Sequence, residues 1–123
     1  MDIFCKIIDG EIPSNVPFEN DMVKCIMDVN PKSPGHMLII PKEHIEDVLE
    51  MDDRTLNEIH EVCQNMVKVM MNAYEGINGV TMVVNYGEPQ VVKHYHLHLI
   101  PSYGEKTPSM SQEDACKLLK KHI

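Results

Sequence analysis

The segment His94-Tyr95-His96-Leu97-His98-Leu99-Ile100 constrains this chain more than any other. Side chains of extended backbone alternate between faces, so the segment predicts a strand with three imidazoles on one side and Tyr95, Leu97 and Leu99 on the other. With 7 histidines in 123 residues, chance would place three at alternate positions roughly 0.02 times per chain, so the row asks for a chemical explanation. Two chemistries suit it. The imidazoles converge on a zinc ion that keeps a position for water, or one of them is a nucleophile at phosphorus while its neighbours orient it and stabilise charge. Spacing alone leaves both open.

The rest of the chain sets bounds. Its 123 residues and 14.1 kDa, with 43% hydrophobic and 24% charged positions, suit one domain over residues 1–123. No run of 18 apolar residues occurs and the Met1 to Cys5 start lacks a leader pattern, so a cytoplasmic location is expected and no membrane partner. Cys5, Cys25, Cys63 and Cys116 lie too far apart to signal a disulfide framework. A formal charge of −8 without a basic stripe argues against nucleic acid as a partner. A single phosphate remains compatible, because backbone N–H groups and histidines can hold one.

The elements alternate in type. Ile3 to Ile8 has helical spacing, ended by Gly10 and Pro13. Val16 to Phe18 and Met22 to Val29 flank the polar cluster Glu19-Asn20-Asp21 as a hairpin, and His36 to Ile40 forms a third strand stopped by Pro41. From Asp53 to Glu75 apolar residues recur every three or four positions, with Thr55 and Glu58 placed as a capping box and Gly76 as the C-terminal stop. Val80 to Tyr86 and His94 to Ile100 complete the strands, and Ser111 caps a last helix through Lys121. The fold class is α+β with an antiparallel sheet.

His94-Tyr95-His96-Leu97-His98-Leu99-Ile100 resembles the signature of the histidine triad (HIT) family, most closely its Hint-type branch. The resemblance extends through Phe4-Cys5-Lys6-Ile7-Ile8, Glu11-Ile12-Pro13, Asp28-Val29-Asn30-Pro31, Pro34-Gly35-His36, Ile39-Ile40-Pro41-Lys42, Val83-Val84-Asn85-Tyr86-Gly87 and Gln90-Val91-Val92. It implies a HIT-like fold of five antiparallel strands with one long helix and short terminal helices. It also implies a hydrolase or transferase of nucleoside 5′-phosphoramidates, releasing AMP and an amine from adenosine phosphoramidate. By the same resemblance His96 is the nucleophile, His98 and His36 assist at the phosphate, and the backbone near His94 holds His96 in the reactive tautomer. Asp28 would accept the ribose hydroxyls, a task suited to a group that only accepts. Phe4, Ile7, Ile26 and Val29 would enclose a purine base, and Asn85 and Gln90 would stand near the phosphate. Taken singly, each apolar position is better read as plain core.

The chain departs from the family pattern in three places. Glu88-Pro89 precedes Gln90 and the Asn85 to His94 interval is two residues short; Val91 stands where a hydroxyl residue is common; and Asp2 occupies the first cysteine position of the zinc pattern. Cys5, His44 and His94 remain as metal ligands, with Asp2 able to supply an oxygen, so a structural zinc is compatible although catalysis requires no cofactor. The alternatives are a dinucleoside polyphosphate hydrolase, whose branch favours glutamine where His98 stands, and a nucleotide-binding scaffold with little turnover. The family commonly forms homodimers. Here Val62, Met66, Val67, Val69, Met70 and Met71 give the long helix an apolar surface wider than one core face needs, so a second copy is expected to cover part of it.

Overall fold

Five consecutive residues, Val23–Met27, are all buried, which requires cover on both faces of a strand. The computed structural model describes residues 2–123, leaving Met1 outside, and it supplies that cover. In chain order the elements are α1 (Ile3–Ile8), β1 (Phe18–Glu19), β2 (Val23–Met27), β3 (Met37–Pro41), α2 (Asp53–Ala73), β4 (Ile77–Val83), β5 (Leu97–Tyr103) and α3 (Gln112–His122). The strands form one antiparallel sheet in the order β1-β2-β3-β5-β4.

The sheet's two faces are dressed unequally. Val23, Cys25, Met37, Ile39 and Leu99 pack with Ile59, Met66 and Met70 of α2 and with Ala115 and Leu119 of α3 in the main core. Ile26, Leu38 and Ile40, one residue out of phase, pack on the other face against Phe4 and Ile7 of α1. Because α1 has only six residues, it covers β2 and β3 but leaves the neighbouring β5 face open. Lys24 lies buried on that thinner side and donates to the Ile7 carbonyl at 3.1 Å, fastening the C-terminal end of α1 to the sheet.

Several boundaries differ from the sequence reading: β1 takes in Glu19 from the expected turn, and β2 runs only from Val23 to Met27. Pro41 closes β3 from within it. Strand β4 starts at Ile77 and ends at Val83, since its pairing with β5 runs from Ile77 opposite Tyr103 to Val83 opposite His98. Helix α2 is capped by Asp52, whose carboxylate accepts from the Thr55 N–H at 2.8 Å and from the Thr55 hydroxyl, so no Thr55–Glu58 capping box forms. Tyr74, in extended conformation, ends the helix, and Gly76 at φ +81° turns the chain into β4.

A further difference concerns the triad. Strand β5 begins at Leu97, so His94 and His96 precede it and only His98 belongs to the ladder. The register pairs Ile39 with Leu97, and the next such position would meet Pro41, which has no N–H to donate. Tyr95 N–H turns instead to the Ile45 carbonyl at 2.7 Å. The alternation of faces nevertheless survives, with Tyr95, Leu97 and Leu99 in the main core.

Candidate active site

The tautomers of His96 and His36 are assigned by neighbours that can act in one sense only, and that of His98 follows from His36. The His94 carbonyl accepts from His96 Nδ1 at 2.7 Å, so Nδ1 carries the proton and Nε2 keeps its lone pair. The Pro41 carbonyl accepts from His94 Nε2 at 2.8 Å, and His94 Nδ1 faces the Asp2 carboxylate at 3.3 Å. His36 Nδ1 accepts from the Lys32 N–H at 3.1 Å. Its Nε2 therefore bears a proton, 2.9 Å from His98 Nδ1 and 3.4 Å from Asp28 Oδ2. That leaves His98 with an Nε2–H donor, next to the His96 ring at a centroid distance of 4.9 Å. A nucleophilic nitrogen and a hydrogen-bond donor thus stand side by side.

Their environment keeps them neutral. Burial, followed by the neighbouring His96 and His36 rings, holds the His98 pKa down to about 4. Burial also lowers His96, more than its bond to the His94 carbonyl restores, and lowers His36 despite the Asp28 carboxylate beside it. At neutral pH a lone pair on His96 is available at no cost.

His96 and His98 open into a cleft of about 550 Å³, within the usual range for a small-molecule site. It is lined by Phe4, Ile7, Ile12, Ile26 and Leu38 and by Val83, Asn85, Pro89 and Val91. Asp28 lines it beside His98, and its Oδ1 accepts from the Asn30 N–H at 2.9 Å. Phe4 meets the His96 ring edge-on at 5.0 Å and the His94 ring at 5.9 Å, so the cleft wall packs against the triad.

Among the described residues, two groups have donor atoms close enough to share a metal ion. In the first, Asp2 Oδ2, Cys5 Sγ, His44 Nδ1 and His94 Nδ1 are separated by 3.0, 3.3, 3.4, 3.5 and 3.6 Å along five of the six edges of their tetrahedron. Zinc bonds of 2.0–2.3 Å imply tetrahedral edges of about 3.3–3.8 Å, so the donor set fits a four-coordinate ion. Asp2 serves twice, because its Oδ1 accepts from the Cys5 N–H at 2.8 Å and caps α1. Burial tends to raise the Asp2 carboxyl, but that bond and His94 outweigh it and the net shift is downward. Burial and the Asp2 charge raise the Cys5 thiol, a penalty that a cation would reverse. The second group, Asp28, His36 and His98, is chemically unsuited. His36 Nδ1 already accepts from Lys32, so freeing its Nε2 as a ligand would require an imidazolate.

The profile of the HIT domain matches residues 9–105. This chain belongs to the HIT family. It is similar to the adenosine 5′-monophosphoramidase HNT1 of Candida albicans, with 40% identity over 111 residues that cover 85% of this chain and 72% of that protein. Protein hit of Bacillus subtilis is 39% identical over 105 residues, covering 84% and 72%. In structure the chain is similar to a zinc-bound histidine triad protein from Mycobacterium smegmatis, with a TM-score of 0.88 at 28% identity covering 98% and 91%. A Hit-like protein from Bartonella henselae involved in cell-cycle regulation gives 0.90 at 33%, covering 99% and 96%.

Of the residues picked out by the HIT resemblance, Phe4, Ile7, Ile26, Asp28, Val29, Asn85, His96 and His98 line the cleft. Val29 does so from its mouth, 86% exposed. His36, 1% exposed, stands behind His98, and His94, fully buried, stands behind His96. Gln90 is not brought to the cleft. It is buried, and its Nε2 donates to the Glu46 carbonyl at 2.7 Å, so the shortened loop turns it inward. Sequence reasoning missed Lys24 and Gln112, which reach carbonyls distant in the chain and carry no motif that would reveal it.

Proposed function

We propose that this HIT protein hydrolyses nucleoside 5′-phosphoramidates, taking adenosine phosphoramidate to AMP and an amine. The observation that carries the reading is the His96 tautomer, which leaves Nε2 free beside a cleft with apolar lining and an acidic residue. The base lies between Phe4, Ile7, Ile26 and Val29, and Asp28 accepts from the ribose hydroxyls. His96 Nε2 attacks the α-phosphorus. The phosphorus–nitrogen bond to the amine breaks, and the departing nitrogen keeps the bonding pair and takes a proton from solvent. His98 Nε2–H steadies the phosphoryl oxygens, held in register by His36, while Asn85 borders the departing amine. His94 O supports the imidazolium that forms on His96. Water then breaks the Nε2–phosphorus bond, its oxygen staying on the phosphate and the lone pair returning to His96.

Two further parts belong to the same reading. Asp2, Cys5, His44 and His94 would hold a zinc ion, which would tie the start of α1 to the triad segment and is not required for turnover. Two copies pair through the exposed Met71 of α2 and Met82 of β4, both of which a partner could cover. This face is smaller than the sequence suggested, because Val62, Met66 and Met70 are buried in the chain's own core. The family relation to a monophosphoramidase of Candida albicans supports the substrate class.

The test is AMP release from adenosine phosphoramidate, with a dinucleoside polyphosphate in parallel. His96→Ala should lower turnover at least 10³-fold while AMP still binds, and mass spectrometry of the quenched wild type should show one added nucleotidyl group. Near wild-type turnover by His96→Ala would sink the proposal.

A further inference from the structure

Helix α3 lies beyond the stretch that the HIT profile matches, and its first residue reaches back into the site. Gln112 Oε1 accepts from the Gly35 N–H at 2.8 Å, and its Nε2 donates to the Asp28 carbonyl at 2.9 Å and to the His36 carbonyl at 2.7 Å. Both amide hydrogens and the oxygen are thereby used. The segment from Asp28 to His36 is the connection between β2 and β3, with a residue facing the cleft or the relay at each end. We infer that Gln112 is a positioning residue for the active site, holding the ribose acid and the inner histidine of the relay in one arrangement. This rests on the roles proposed above for Asp28 and His36.

The geometry separates this role from ordinary packing. Ala115, Cys116 and Leu119 are buried in the main core and hold α3 to the sheet without help from Gln112. The Asp28 N–H already closes the connection by donating to the His36 carbonyl at 3.1 Å, so the amide adds a second tie between the same two residues. Gly35, at φ +90°, presents its N–H to Gln112 and its carbonyl to the Tyr74 hydroxyl, which fixes the peptide on either side of it. Without the amide, the Gly35 N–H and the Asp28 carbonyl lose their partner together, and the Asp28 N–H to His36 carbonyl bond is left to hold the two ends alone.

Two variants divide the three bonds. Gln112→Leu removes all of them at similar volume, and Gln112→Glu keeps the acceptor for Gly35 but loses both donors. Cys116→Ala serves as a control that loosens α3 elsewhere. With adenosine phosphoramidate and its 2′-deoxy analogue as substrates, both Gln112 variants should lose at least 10-fold in kcat/KM on the ribose substrate and much less on the deoxyribose one. Their ribose preference then falls towards unity, while Cys116→Ala keeps the wild-type ratio. Calorimetry with AMP and dAMP reads the same ratio for any variant too slow to assay. A wild-type ratio in both Gln112 variants overturns the inference, even where their melting temperatures fall. A wild-type protein indifferent to the 2′-hydroxyl removes the Asp28 role and this inference with it, whereas the His96→Ala result tests the chemistry separately.

Discussion

Three histidines of this site share buried surroundings that disfavour a proton on any of them. His98 is held to about 4, and His96 and His36 are also lowered, in each case first by burial. An unfolded histidine titrates near 6.5, so below that pH the unfolded chain takes up protons that the folded one refuses. The stability from these groups is complete above pH 6.5 and is lost as pH falls towards 4. Urea midpoints should be flat from pH 8 to 7 and then drop, with a limiting slope of about 1.4 kcal/mol per pH unit for each fully shifted histidine. The difference between wild type and His98→Gln isolates the His98 share from that of the carboxylates. A difference that stays constant from pH 7 to 4 contradicts the assignment. Turnover should follow the same sign, steady above pH 6.5 and falling on acidification as His96 Nε2 is protonated.

At the scale of the element, periodicity was legible and boundaries were not. The 3.6-residue apolar rhythm of α2 is a local property, and the helix appears where the sequence places it, from Asp53. Its cap was misread because Asp52 and Thr55 are both competent acceptors, and only backbone geometry selects Asp52. The start of β5 depended on Pro41, a residue more than fifty positions away that withholds a ladder N–H. The β2–β3 connection is equally specific. Gly35 has φ +90°, and a methyl group added there would overlap the Tyr74 ring, which is buried against it. Gly35→Ala should destabilise the fold by about 1–3 kcal/mol from backbone strain, with more from the displaced ring. Chemical denaturation checks it, and a loss below 0.5 kcal/mol, a value on the order of a neutral surface change, would show that the turn adapts.

For the whole molecule, the zinc proposal links parts that are far apart in sequence. Asp2 caps α1 and Cys5 lies in it, the helix that carries Phe4 and Ile7, whereas His94 supplies the carbonyl that sets the His96 tautomer. Because an ion would bind the folded state only, a free concentration 100 times its Kd should add about 2.7 kcal/mol of stability. Cobalt(II) should give a thiolate charge-transfer band that Cys5→Ala abolishes, and Asp2→Ala should weaken binding. No band and no thermal shift with either metal would remove the ion. Pairing of two copies predicts a mass in light scattering near twice the 14.1 kDa of one chain. A single-chain mass at micromolar concentration removes the dimer.

The sequence by itself determined the fold class, the long helix and the segment that carries the chemistry, because alternation and helical rhythm are local consequences of backbone geometry. It also placed eight of the residues that line the cleft through resemblance to a family. The tertiary structure decided which nitrogen of each histidine is free, because that depends on carbonyls of Pro41 and His94 and on the Lys32 N–H. It decided that Gln90 turns inward and that Gln112, from the last helix, reaches the site. A hydrogen bond is directional and short-ranged, so its partner is known only once distant stretches of chain have been brought together.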